Sequence, residues 1–196
     1  MNAPAANTRL PAVLYQPDGT RRVDYRAVVA LAWPLFVQFS VQGFLNVVDT
    51  WFVGRLGADA VAGMNAVNFT SFTLLLLFGG TGIAVQTIVA QRHGEGRGAR
   101  AGQAAWHGIY SGILVAPLAV IVALGGTQFF EFFSLPSTVV QAASDYWLPR
   151  MAAGGLVVVY FALSNFFNGV GRTRISLLGA VVAFVCNVVL DWLLIL

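Results

Sequence analysis

The chain has 196 residues, of which 58% are hydrophobic and 10% charged, with a mean hydropathy of +0.75 and a formal net charge of +3. A soluble globule usually carries about a quarter charged residues, so this composition excludes one, and a single cysteine excludes a disulfide scaffold. The small positive balance follows from where arginines sit around a bilayer and does not point to nucleic acid.

Residues 1–25 are rich in Pro, Asn, Asp and Arg and lack an apolar core. They are therefore expected to form a frayed cytoplasmic tail, not a cleaved signal peptide, with a short amphipathic stretch from Val23. Five long apolar runs follow: Ala27 to Val48, Ala60 to Gln91, Ala101 to Phe130 and Met151 to Gly171, all uncharged, and Ile175 to the end, charge-poor with Asp191 inside it. Each is long enough for the roughly 20 apolar residues that a spanning helix needs. With their flanks they predict helices over about 27–52, 58–91, 100–130, 141–171 and 174–196. Residues 26–196 thus read as an all-α, polytopic membrane helix bundle of five transmembrane helices. Cys186, inside the last run, is expected to be a small packing residue.

All 11 basic residues are arginine, and their placement alternates. Arg9, Arg21, Arg22 and Arg26 precede the first helix; Arg92, Arg97 and Arg100 follow the second; Arg172 and Arg174 follow the fourth. The positive-inside rule makes those three places cytoplasmic, with the N-terminus inside. The opposite loops hold Arg55 with Asp59, and Glu131 with Asp145 and Arg150, without a positive excess. Indole favours the headgroup level. Trp33 and Trp106 fall near inner ends and Trp51, Trp147 and Trp192 near outer ends, with one or two expected to be core packing instead.

Polar residues interrupt the spans in a pattern. Gln38, Gln42, Asn46 and Asp49, at steps of four, four and three, share one face of the first helix. Such a face either glues helices together or lines a cavity, and spacing leaves both open. Asn65 and Asn68 on the second helix and Asn187 and Asp191 on the fifth also fall in the outer half, which reads as a wet pocket. Each acid is either an ordinary carboxylate near a helix end or a buried group able to exchange protons. Gly79, Gly80, Gly82, Pro34 and Pro117 allow close packing or bending. The Gly94–Gly98 stretch has no preceding strand and no P-loop lysine, so it reads as a flexible turn. His93 and His107 have no Cys, Asp or Glu at metal spacing, and no nucleophile, base and orienter set is evident. No enzyme, resident metal or organic cofactor is expected.

Val48-Asp49-Thr50 with Val53-Gly54-Arg55-Leu56-Gly57, Val89-Ala90-Gln91, Gly169-Val170-Gly171-Arg172-Thr173-Arg174 and Asn187-Val188-Val189-Leu190-Asp191, in this order and spacing, resemble the multidrug and toxic compound extrusion (MATE) family. The resemblance covers about residues 27–196; it departs at Gly171-Arg172-Thr173, where relatives commonly have Gly-Asp-Thr. It implies a twelve-helix antiporter of two six-helix lobes around a central cavity, of which this chain looks like helices 1 to 5 of the first lobe. A sixth helix and a second lobe are then expected in the full-length protein, and the chain alone is expected not to transport. Asp49 sits where the family has its first-helix acid, and Asn187 and Asp191 where the DinF-like branch has its fifth-helix pair. The resemblance makes these three cation-coupling residues, with a proton or sodium as the ion. Gln38, Gln42, Asn46, Asn65, Asn68, Asn165 and Asn168 become substrate- or cavity-lining candidates.

The implied function is cation-coupled efflux of organic cations or other amphiphilic drugs across the bacterial inner membrane. The implied partners are membrane lipid and small-molecule drugs. Two other readings stand beside it. One is a lipid-linked oligosaccharide flippase of related architecture, which calls for an arginine-rich cavity to hold pyrophosphate. The other is a non-catalytic half that needs a second chain.

Overall fold

A computed structural model describes residues 13–16 and 20–195. Arg9 and most of the expected tail lie outside the described residues. The part of the tail that is described is not frayed: β1 (Val13–Tyr15) and β2 (Arg21–Val23) pair antiparallel, with Val13 opposite Val23. Val, Leu and Tyr suit a strand, which composition counted over 25 residues conceals. Asp24 then starts the first helix, its carboxylate accepting from the backbone N–H of Arg26 at 3.0 Å and of Ala27 at 3.3 Å.

Helix α1 (Tyr25–Gly54) is one continuous element of about 45 Å, longer than a hydrocarbon core, with Pro34 buried inside it. Helix α2 (Ala58–Gly94) passes its glycines unbroken, and a turn with an Arg97–Glu95 ion pair of 3.0 Å leads to α3 (Gly98–Leu124). The helix expected over 100–130 is divided. It ends at Gly125, whose N–H donates to the Val122 carbonyl at 3.2 Å, and α4 (Gly126–Phe132) is separate.

The helix expected over 141–171 begins earlier and is bent: α5 (Ser137–Ala152) meets α6 (Gly154–Gly169) at 52°. Pro149 supplies no N–H and crowds the carbonyl four residues back, which breaks the ladder just before the bend. Glu131, expected between helices, is helical in α4, while Asp145 and Arg150, grouped with the outer loop but inside the helix expected over 141–171, lie in α5. The last helix is α7 (Thr173–Ile195).

By length and apolarity α1, the Ala58–Leu77 part of α2, α3 and α7 can each cross a membrane, and the bent α5–α6 pair passes the same test when its two helices are taken together as one span. The chain is an all-α polytopic membrane bundle.

Helices α2, α3, α5 and α6 pack on one another, while α1 lies chiefly along α7, which leans on α6. Small residues let α3 and α6 approach closely. A Cβ on Gly155 would lie 2.5 Å from the Ala116 Cβ and 2.9 Å from the Gly112 carbonyl oxygen, so backbone rests on backbone there. At one end of the bundle Phe130, Val140, Trp147 and Met151 pack with Val67 of α2; at the other, Val85 and Val89 pack with Ala101, Ala104 and Ala162. Trp147, expected at the membrane interface, is 2% exposed and donates from Nε1 to the Val122 carbonyl at 3.2 Å. The interior supplies the hydrogen bond that indole otherwise seeks at the headgroups. Cys186 goes the other way: it is exposed on α7 and not packed.

Candidate cation site between helices α1 and α7

Both α1 and α7 begin at the arginine-rich end, since Arg26 and Arg174 line one cavity, and they run side by side to the opposite end. Asp49 stands 24 residues into α1 and Asp191 18 residues into α7. The structure brings them together. The Asp49 carboxyl lies within side-chain hydrogen-bonding reach of Asp191 and Asn187. The i, i+4 spacing of Asn187 and Asp191 puts both on the face of α7 that meets α1.

Three oxygens of this group, Asp49 Oδ1, Asn187 Oδ1 and Asp191 Oδ2, are buried without a hydrogen-bond partner. An unpaired buried acceptor carries a desolvation penalty of about 1–3 kcal/mol, more when charged, and two adjacent carboxylates repel. An arrangement of this kind calls for positive charge. Neighbouring acids with an amide oxygen beside them can take a proton or a hard monovalent cation, and the acid pair can attract an organic cation.

Helix α5 contributes what the sequence reading missed. Arg150 lies within electrostatic range of Asp49, and Tyr146 lies within hydrogen-bonding reach of Arg150 and electrostatic range of both acids. Arg150 closes no ion pair with either acid among the described residues. Tyr146 and Arg150 sit at i and i+4 within the helix expected over 141–171, here α5. That spacing was the available signal.

The other candidates divide. Gln38 belongs to a second polar level about 16 Å along α1 from Asp49. Its Nε2 donates to Ser164 Oγ of α6 at 3.1 Å, while Ser176 Oγ of α7 donates to the Ser164 carbonyl at 2.9 Å. Ser164 and Ser176 thus tie three helices, and short hydroxyls give little warning of this in a sequence. Gln38 Oε1 and Asn168 Oδ1 are buried and unpartnered. Gln42 and Asn46 are exposed, with Asn46 Nδ2 donating to the Gln42 carbonyl at 3.2 Å. Asn165 spends its amide on the Phe161 carbonyl at 2.9 Å. Asn65 is exposed and Asn68 half-buried on α2, and among the described residues neither hydrogen-bonds to the acids. The expected contribution of α2 to an outer-half pocket is therefore not seen; the third helix within electrostatic range of Asp49 is α5, through Arg150 and Tyr146.

Comparison with known proteins agrees with this architecture. The MatE family model matches residues 34–193. The chain is 25% identical over 171 residues to a probable multidrug resistance protein NorM of Neisseria meningitidis, covering 87% of this chain and 37% of that protein. It is 28% identical over 192 residues to a probable NorM of Rhizobium meliloti, covering 93% and 39%. Multidrug resistance protein PmpM of Pseudomonas aeruginosa is 25% identical over 175 residues, with 89% and 37% covered. Among solved structures, a MOP superfamily transporter from Pyrococcus furiosus, described as having a binding pocket of reverse polarity that suggests a different function, superposes with a TM-score of 0.69. It is 25% identical and covers 85% of this chain and 37% of its own. The chain thus spans less than two-fifths of the length of these relatives. With the model matched across nearly all of its helical part, the chain belongs to the MatE family of membrane transporters.

Proposed function

We propose that the chain is the cation-coupling part of a first transporter lobe, from an antiporter that exports organic cations or other amphiphilic drugs across the bacterial inner membrane, with its N-terminus in the cytoplasm. The observation that carries this reading is the group of three buried, unpartnered oxygens that α1 and α7 bring together at Asp49, Asn187 and Asp191. The names of the similar proteins, multidrug resistance proteins NorM and PmpM, support the cargo class. With both acids ionised the group attracts a cation; protonation, or sodium held among the oxygens, removes that attraction and lets α1 repack against α7. The Asn187–Asp191 pair is the feature that favours the DinF-like branch.

In a full-length protein containing this segment, Asp49→Asn abolishes coupled efflux of a fluorescent organic cation while membrane insertion stays intact. Unchanged efflux would sink the assignment. The flippase reading requires a cavity rich in arginine. Here Arg150 is the arginine that reaches Asp49, and two carboxyls oppose it, which favours cationic cargo over pyrophosphate.

A further inference from the structure

The far end of the α1–α7 seam carries a separate feature that the coupling group does not use. A cavity of about 550 Å³ opens there between Tyr25, Val29, Trp33 and Pro34 of α1, with Arg26 and Arg174 at its rim. A second, of about 440 Å³, lies beside Leu31 and the Gly171–Ile175 segment, Arg172 included. The two share Ala30 and Arg174, so they are neighbouring parts of one groove.

The turn between α6 and α7 creates this groove. Gly171 has φ +76°, a left-handed conformation that strains a side-chain-bearing residue. A Cβ there would stand 3.6 Å from Leu31 Cδ2, so the turn lies against α1. That contact brings Arg174 to the cavity that Arg26 lines and Arg172 to the adjoining one, with Arg174 common to both. Among the described residues none of the three guanidiniums closes an ion pair. The nearest acid in sequence, Asp24, has its Oδ1 committed to the backbone N–H groups of Arg26 and Ala27.

Below the arginines the walls are apolar and open. Val29 and Trp33 are each 62% exposed, on the cavity side of α1 that α7 leaves uncovered.

We propose that this groove binds one anionic phospholipid, its phosphate held by Arg26, Arg172 and Arg174 and an acyl chain laid along Val29 and Trp33. Guanidinium forks match phosphate oxygens, and basic pockets between membrane helices suit anionic headgroups. The apolar walls decide the source, since a free phosphate gains nothing from Val29, Trp33 and Pro34. The site is independent of the coupling group at the opposite end, and either can fail without the other.

The chain is reconstituted in phosphatidylcholine nanodiscs containing a minor fraction of phosphatidylglycerol, and the lipid retained after gentle extraction is read by native mass spectrometry. Phosphatidylglycerol is retained selectively, and each arginine neutralised among R26Q, R172Q and R174Q weakens retention about fivefold. Ala30→Phe keeps all three charges but fills the space that the two cavities share, and it also loses the lipid; it decides the matter if the arginine variants fail to fold. R92Q/R100Q, basic residues of the other turn on the same side, leaves retention unchanged. Equal retention of phosphatidylcholine, or equal loss in R92Q/R100Q, would overturn the proposal in favour of a general basic belt. Displacement by glycerol 3-phosphate as effective as by the lipid would overturn it in favour of a soluble phosphate.

Discussion

Replacing Gly155 by alanine tests whether the bent span is held by backbone contact. An added Cβ would meet the Ala116 Cβ at 2.5 Å, its Cα at 2.8 Å and the Gly112 carbonyl oxygen at 2.9 Å, about 1 Å short of ordinary contact. Two of those three neighbours are backbone, so no rotamer change relieves the overlap, and α3 and α6 must part. Overpacking of this kind typically costs about 1–3 kcal/mol. The control is Gly102→Ala on α3, where nothing lies within 4 Å and loss of helical glycine should stabilise by about 0.5–1 kcal/mol. The assay is far-UV circular dichroism during titration of the micelle-embedded chain with a denaturing detergent. Opposite shifts of the midpoint are expected from the same chemical substitution. Shifts of equal sign would refute the close-packed seam. The consequence reaches the site, because α6 is continuous with the bend that carries Tyr146 and Arg150 toward the acids.

The Gln38–Ser164 link gives an asymmetric expectation. Ser164→Ala removes the acceptor of the half-buried Gln38 Nε2 and should lower stability by about 1 kcal/mol, whereas Gln38→Leu also removes the unpartnered Oε1 and should cost less, both read in the same unfolding titration. Arg150→Gln removes the positive charge facing Asp49 and should raise the affinity for a monovalent lipophilic cation about tenfold, since a charge beyond ion-pair contact contributes on the order of 1–2 kcal/mol at intermediate dielectric. Calorimetric titration in nanodiscs measures it, and unchanged affinity would remove Arg150 from the site.

Much of this was legible in the sequence, for identifiable reasons. Long apolar runs declare spanning helices whatever their packing, and the i, i+4 pair Asn187 and Asp191 needed only helical geometry to share a face. The stripe on α1 was legible only in part. At 100° per residue Asp49 returns to within about 20° of Gln38, while Gln42 and Asn46 drift to about 40° and 80° away. That rotation accounts for the half-buried pair and the exposed pair on one apparent stripe. The helix expected over 141–171 was legible across Asp145 and Arg150, but its start at Ser137 and its bend after Pro149 were not, since only tertiary packing reveals them. Trp147 misled because a girdle tryptophan and a core tryptophan differ in who accepts the N–H, here the Val122 carbonyl. The hairpin was hidden by composition averaged over the tail, and the Ser164 bridge depends on contacts distant in sequence made by side chains too small to stand out.

The central claim is that Asp49, Asn187 and Asp191 form a cation site. Calorimetric titration of the nanodisc-embedded chain with sodium chloride, and separately with tetraphenylphosphonium, tests it most directly against an Asp49→Asn/Asp191→Asn double variant. Saturable binding of at least one of these cations to the wild-type chain, lost in the double variant while its helical content and melting are retained, is the expected result. Equal saturable binding to the double variant, or none to the wild type across the range in which its acids ionise, would contradict it.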